Sequence, residues 1–521
     1  MPSGKPVPFL VEKVDIISSY SRKRYSIVNG LTDIEIFEHL ERPYLTGQLA
    51  FVDTDGFLEQ INFSGTDIVE ILIGVNPDKT NQPGSWKLNK KFVIDEIIDI
   101  KKNEQGINLV QAHFIELHGF LDRVTNGCCS VAGKRLDMIE TILNNFLAPS
   151  DGQSTEPGLQ VICTERARYN DVERRYIVPQ NTTPLQACEI IRKYDTTEDG
   201  YPYYLFSTIS NDALVYKSLR QILEDGVYFK NSFVCNGIFS AGESVLPYAI
   251  DTWKSNKTLN YVHLARDGLF GSIHDFYDPN DGVSREYKYD LSKAMNPYDV
   301  VEDAANLPTV HITTIMPNNT FSGIHSLQNL PEERNYQEVI FGSSLKGIMS
   351  ETSIEIGLRD AEIFLPNVRR NSRGGLDPRT ETEGGSSKQD EARSQVNNSA
   401  TIGKKINVKF HTSANEQGIE DPKMSGNYFI YATRFIFKRN VGNTCTGNVI
   451  LTCCKLFANS EYIGTTFDNA ASGSDKGPPS PPSTKPKIKP PGNDKKPTDP
   501  VNPYGGYVGQ YEDPARFKKG I

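Results

Sequence analysis

Apolar and polar side chains alternate in short runs through the first ~120 residues. The runs are GQLAFVD (47–53), DIVEILIGV (67–75), KFVIDEIIDI (91–100) and INLVQAHFIEL (107–117). Each is rich in Ile, Val and Phe, and turn-forming clusters such as DTDG and NPDKTNQPGS separate them. That pattern predicts an antiparallel meander or small barrel, and residues 1–125 are expected to form a first β-barrel domain. The period then changes. In KRLDMIETILNNFL the apolar Leu136, Ile139, Leu143 and Phe146 recur at helical spacing. In TPLQACEIIRKY, Thr183 is placed to cap a helix, Pro184 suits its first position and Gln186 completes a capping box. Strand-like YPYYLFSTI and ALVYKSL follow, so 126–227 reads as an α+β module.

Sheet patterning returns in VYFKNSFVCNGIFSAG and, far downstream, in INVKFH, NYFIYATRFIFKR and GNVILTCCKLF. A second β-barrel domain split between 228–250 and 400–457 explains this order. Residues 251–399 are then an insertion whose segment 370–400 is polar and predicts an exposed loop. The fold class expected is mainly β with α+β insertions: two tube-type antiparallel β-barrel domains, an inserted α+β module and a disordered or extended Pro-rich C-terminal tail.

Composition sharpens this picture. At 521 residues the chain exceeds one ordinary core, and 37% hydrophobic with 23% charged residues is the balance of a folded soluble protein. A net charge of -9 disfavours direct nucleic-acid recognition and anionic membranes. No run approaches the ~20 apolar residues of a membrane helix, and the polar start MPSGKPVPF does not read as a secretory signal, so folding in a cytoplasm is expected. The cysteines at 128, 129, 163, 188, 235, 445, 453 and 454 lack metal or redox spacing and are expected to be buried, reduced and inert.

No catalytic constellation emerges, and no catalytic, metal or cofactor-binding residue and no cofactor are assigned. GCCSVAGKR (127–135) has the outline of a phosphate loop, but Arg135 stands where Ser or Thr should hold magnesium. DTDG (53–56) begins like a calcium loop and lacks its terminal Glu, so a hairpin turn is the expected structure. His113 and His118 have odd spacing, which would place them on opposite faces of one strand. The basic run SRKR (21–24) reads as a solvated strand end or turn.

The C-terminal region has a different grammar. Residues 458–503 form a linker whose Pro- and Lys-rich part cannot build a core and reads as a polyproline-like spacer, up to roughly 80 Å long over 478–503 at ~3.1 Å per residue. Residues 504–521 end it as a candidate docking peptide: Tyr504, Tyr507, Tyr511 and Phe517 supply contact area and Arg516 a planar donor. A solubilising tail is the plainer reading of the same residues.

The stretch SGNYFIYATRFIFKRNVGNTCTGNVILTCCKLF (425–457), preceded by IGKKINVKF, resembles the closing strands of the central baseplate hub subunit of contractile phage tails. That family shares its fold with the N-terminal part of the type VI secretion spike protein. Gly426, Tyr428 and Ile430 fill the G-x-Y-x-V-like element, whereas Phe435 stands where many members have histidine. The order sheet, α+β module, sheet, insertion, closing sheet resembles the hub over roughly 1–457. The resemblance implies a non-enzymatic homotrimer joining the sixfold tail tube to the threefold central spike. Its implied partners are the spike trimer, tail tube or tube-initiator proteins and a tape measure protein, in the virion baseplate, after assembly in the host cytoplasm. A tail-associated glycan hydrolase on a β scaffold, or a receptor-binding or adhesion protein, are the alternatives.

Overall fold

The computed structural model describes residues 8–53, 56, 63–75, 86–102, 107–147, 159–169, 171, 173–198, 200–210, 213–229, 231–235, 248–255, 266, 268, 271–278, 283–290, 310–315, 326–327, 336–351, 353–365, 369–370, 376–377, 402–410, 421, 424–440, 442 and 444–455. The expected linker and docking peptide, with Tyr504, Tyr507, Tyr511, Arg516 and Phe517, lie outside these residues, as does most of the polar segment 370–400.

Strands β1 (Phe9–Ile17), β2 (Arg24–Ser26), β3 (Leu31–His39), β4 (Thr46–Asp53), β5 (Asp67–Val75), β6 (Trp86–Lys102) and β7 (Asn108–Ile115) come first. The α+β region follows: α1 (Leu117–Val124), β8 (Ser130–Gly133), α2 (Arg135–Phe146), β9 (Val161–Ile162), β10 (Arg174–Ile177), α3 (Pro184–Lys193), β11 (Tyr203–Phe206), β12 (Leu214–Ser218) and α4 (Leu219–Glu224). Then come β13 (Phe233–Cys235), β14 (Ala249–Ser255), β15 (Gly271–Asp278), β16 (Val283–Asp290), β17 (Val310–Ile315), β18 (Ser326–Leu327), α5 (Tyr336–Glu351), β19 (Ile354–Leu358), β20 (Arg369–Arg370) and β21 (Leu376–Asp377). The final strands are β22 (Lys405–Phe410), β23 (Gly426–Arg439) and β24 (Thr444–Cys454). The chain is mainly β with α+β insertions.

The dominant sheet has 13 strands and closes on itself twice. One ring runs β1-β24-β23-β3-β4-β7-β6-β5 and returns to β1, every step antiparallel. The other runs β24-β19-β14-β13-β22-β23 and returns to β24. In this second ring β13 is parallel to both β14 and β22, a departure from all-antiparallel order. Parallel neighbours need crossover connections, and here the chain travels to β22 only after more than 160 residues.

The two rings share one wall. The start of β23, Gly426–Phe429, pairs with Lys405–Val408, and its later part, Ala432–Lys438, pairs with Asp33–His39 of β3. A register irregularity between Ile430 and Ala432 marks the transfer from one ring to the other. The closing hairpin is therefore hydrogen-bonded to strands before residue 125 as well as to those after 228. In sequence between β14 and β19, strands β15, β16 and β17 make a separate three-stranded sheet.

Burial follows the alternation. In β3 and β4 the inward residues Leu31, Ile34, Ile36, Leu49 and Phe51 are buried, and β24 buries Cys445, Val449, Leu451 and Cys453 on one face. Gly447 sits among them because a Cβ there would lie 2.4 Å from the Phe9 ring, which packs edge-on against Phe437. Helix α2 buries Leu136, Ile139 and Leu143 as its spacing predicts. Helix α3 begins with the expected capping box: the Gln186 N–H donates to Thr183 Oγ1 at 3.3 Å and the Thr183 N–H donates to Gln186 Oε1 at 3.1 Å.

Strands β11 and β12 are buried at every position. Tyr203, Leu205, Leu214 and Tyr216 face the core of the α+β region, while Tyr204, Phe206 and Val215 face the core of the rings. This small sheet is thus sandwiched between the helices and the rings, and its connecting loops meet the first ring.

Candidate functional site

The meeting place of the two bodies is a buried polar junction. Glu38, on β3, is 1% exposed, and its Oε1 accepts the Ile209 N–H at 2.5 Å from the loop after β11. Among the described residues its Oε2 has no partner in hydrogen-bond geometry. Thr433 stands directly opposite on β23, and its hydroxyl is also buried outside hydrogen-bond geometry. Burial pushes the Glu38 carboxyl up to about 8; the Ile209 N–H, Lys90 and, least, the adjacent Thr433 hydroxyl oppose that rise, and Glu116 reinforces it.

Glu116 fixes the same loop from the side. Its Oε2 accepts the Leu45 N–H and the Ser207 hydroxyl, each at 2.7 Å, and its Oε1 lies 3.5 Å from Lys90 Nζ on β6. The Ser207 N–H donates to Arg42 O at 3.3 Å. His118 Nε2 lies 2.6 Å from Pro43 O and 3.6 Å from Glu116 Oε2. His118 belongs to α1, so the expectation that it shares a strand with His113 is corrected. Strand β7 ends at Ile115 because the Glu116 side chain turns back onto the Leu45 amide. His113 stays on β7, 2.6 Å from Asp95.

A second contact joins the turn after β3 with α3, α5 and β11. Lys346 of α5 lies 3.2 Å from Glu41 and 5.0 Å from the Tyr204 ring centroid, which Arg192 of α3 also approaches at 5.9 Å. Burial acts to raise the Glu41 carboxyl, but Lys346 and Arg192 outweigh it and hold the group below the ordinary glutamate value. Together these contacts lock the α+β region to the first ring by directional bonds in a low-dielectric setting.

Within the α+β region Asp195 is 1% exposed. The Tyr169 hydroxyl donates to its Oδ2 at 2.7 Å, Tyr216 donates to the same oxygen, and Arg135 Nη1 lies 3.8 Å from Oδ1. Burial pushes the carboxyl up to about 6 against the pull of Arg135. Tyr216 is sealed by the parallel ring of Tyr203, their centroids 4.9 Å apart. Asp195, Arg135 and Tyr216 are buried while Tyr169 is half-buried, and the bonds among them hold the region together.

The sequence motifs resolve in the same direction. At 127–135 the strand β8 runs into α2, where the Arg135 N–H and Nη1 donate to the carboxylate of Asp171 at 3.0 and 2.7 Å. The Leu136 N–H donates to Tyr169 at 3.2 Å, so internal groups occupy the helix start that a phosphate would use. SRKR forms a turn in which Arg22 has φ 56° and Arg24 reaches Asp15 and Glu70. All eight cysteines are free; Cys128 is exposed, Cys129 half-buried and the rest buried. Burial pushes Cys163 and Cys445 up to about 12, which removes thiolate reactivity. Among the described residues no group of three or more His, Cys, Asp or Glu is arranged to hold a metal ion. Of DTDG, Asp53 ends β4 and Gly56 has φ 69°. Gly426, Tyr428, Ile430 and Phe435 all lie on β23; Phe435 is fully buried, and the Tyr428 hydroxyl donates to Met424 O at 2.6 Å.

Sequence reasoning missed Glu38, Lys90, Glu116 and Asp195. The one local signal was a charged residue at an inward position of a strand, as Glu38 is in LTDIEIFEH.

No family model and no curated protein matches the chain. Solved structures similar to it in fold are phage tail and type VI secretion proteins. A tail protein from Neisseria meningitidis MC58 is 12% identical with a TM-score of 0.42, over 85% of this chain and 96% of that one. The 43 kDa tail protein of prophage MuSo2 from Shewanella oneidensis is 10% identical with a TM-score of 0.44, over 86% and 99%. A type VI secretion component from E. coli, itself structurally similar to T4 bacteriophage tail proteins, is 6% identical with a TM-score of 0.37, over 82% and 75%. Every one of these scores is below 0.5, so they describe a shared outline and carry no functional weight.

Proposed function

We propose that the chain is a structural protein of a phage-type tail, the homotrimeric baseplate hub that joins a sixfold tube to a threefold central spike. The observation that carries this reading is the double ring built on the shared hairpin β23–β24. Two fused β rings per chain give a trimer six similar blocks, which matches sixfold symmetry on one side and threefold on the other. Ring closure also leaves few strand edges to aggregate, as suits a part whose work is geometry.

In this reading the partners are the spike trimer, the tube or its initiator, and a tape measure protein. The site of action is the virion baseplate, after assembly in the host cytoplasm. The C-terminal residues Tyr504, Tyr507, Tyr511, Arg516 and Phe517 dock on a neighbouring subunit or tail component, with the linker raising their effective concentration. Light scattering coupled to size exclusion tests the core of the proposal, with imaging of the particle. A trimer with a threefold ring is expected. A chain that stays monomeric at high concentration and with spike and tube proteins present, or that hydrolyses peptidoglycan, overturns it. Removal of 504–521 is expected to leave the trimer intact and to reduce retention of one tail component; full retention of every component refutes the docking peptide alone.

A further inference from the structure

A cluster of cations lies away from the junction, where α4 meets the second ring. Lys217 lies one residue before the end of β12, Lys404 immediately precedes β22 and Lys405 opens it; they are 7%, 9% and 3% exposed. Two of the three have partners. Lys217 Nζ is paired with Asp225 at the end of α4, and Lys405 Nζ donates to Leu223 O at 2.5 Å. Lys404 has neither a carboxylate nor a hydrogen-bond acceptor among the described residues; its ammonium lies 5.8 Å from the centroid of the Tyr228 ring.

The side chain is largely buried while its ammonium keeps some contact with solvent, and an aromatic face replaces only part of the hydration it has lost. Lys404 also sits within the field of Lys217, whose own counter-ion is already engaged. Burial, helped by Lys217, pushes the Lys404 amine down to about 8, with Asp225 opposing. The backbone that carries it is anchored: the Ile430 N–H donates to Lys404 O at 2.9 Å, and the preceding Gly403, at φ 75°, packs near Phe206, Leu40 and Ile222.

We propose that Lys404, backed by Lys217, is a binding point for a single oxyanion, a carboxylate or a phosphate, presented from outside the described fold. A carboxylate or phosphate oxygen would supply the missing acceptor and offset the uncompensated charge. The chemistry is that of a point cation with rotatable donors, which suits one oxygen better than a planar fork. The proposal does not depend on the hub reading: it concerns a ligand chemistry, and the binding is measurable whatever the oligomeric state.

The test is salt-dependent acylation of the whole chain with an amine-reactive ester, read residue by residue by mass spectrometry. At pH 7.5 an amine with a value of about 8 is roughly one-quarter free base, which offsets its burial, so the rate at Lys404 is read against the exposed Lys438 as an internal reference. Replacing chloride by about 100 mM acetate in one arm and inorganic phosphate in the other, at matched ionic strength, is expected to slow Lys404 about tenfold in at least one arm while Lys438 is unchanged. Acetate alone identifies a carboxylate site and phosphate alone a phosphate site. Equal, measurable rates for Lys404 in all three salts overturn the proposal; where burial alone blocks the ester, the thermal readout decides. A second readout is thermal: the oxyanion that protects Lys404 should raise the melting temperature of the wild-type chain and leave Lys404→Met unmoved. An identical rise in both refutes the site.

Discussion

Replacing Glu38 by glutamine isolates the energetics of the junction. Glutamine keeps an oxygen for the Ile209 N–H and gives Thr433 a donor, without a charge to bury. The gap between an ordinary 4.5 and about 8 corresponds to up to about 5 kcal/mol at 1.36 kcal/mol per pH unit. The sign follows from proton uptake. Between pH 4.5 and 8 the folded chain holds a proton on Glu38 that the unfolded chain has released, so stability falls as pH rises. It is fully present below 4.5, and the whole loss is reached once pH passes about 8. Lysines run the other way: Lys404, Lys405 and Lys455, each pushed down to about 8 mainly by burial, add stability above that pH. The informative quantity is therefore the difference between wild type and Glu38→Gln. Urea midpoints from pH 5 to 9 should converge at the acid end and diverge toward pH 8, with the variant the more stable. Hydrogen exchange across 203–215, corrected for its intrinsic pH dependence, should show the same divergence, because the Ile209 amide is the bonded group. Parallel wild-type and variant curves over the whole range would falsify a proton held on Glu38.

Three further outcomes follow from local geometry. Gly447→Ala drives a methyl against the Phe9 ring at a wall common to both rings and should cost about 1–3 kcal/mol, read as a lowered thermal midpoint. Thr183→Ala removes the α3 cap and a hydrogen bond to Asp122, 3.0 Å away, and should cost about 1 kcal/mol by denaturant titration, more than the same change at the exposed Thr141. Thiol alkylation of the native chain should modify Cys128 first and leave Cys445, Cys453 and Cys188 protected until denaturant is added, with the order read by peptide mapping.

Local structure was legible wherever one face of an element is wet. The strands of the first ring alternate plainly, and the Thr183–Gln186 box announced α3 to the residue. Strands β11 and β12 are buried on both faces, so period alone said little about what they touch. Nor could any local pattern show that β23 passes from β22 to β3, because the pairing depends on partners hundreds of residues away. The junction was harder still. Glu38 and Glu116 look like any strand-end acids in a chain with 65 acidic residues, and Lys404 reads as part of a solvated GKK turn. Their character comes from the surfaces that close over them.

The common wall also sets a timetable. Glu35 and Arg434, joined across β3 and β23 by a two-pronged ion pair with bonds of 2.7–3.1 Å, are 399 positions apart. At about 5–20 residues per second, a ribosome needs roughly 20–80 s to deliver the second after the first. Until then the early strands are an open curl with a bare edge at β3, and the later ring is equally unfinished. A single hairpin, arriving last, completes both within one step. Neither ring can mature alone, so a nascent chain stalled before residue 424 exposes two unsealed sheets at once and is a natural client for chaperones and proteases.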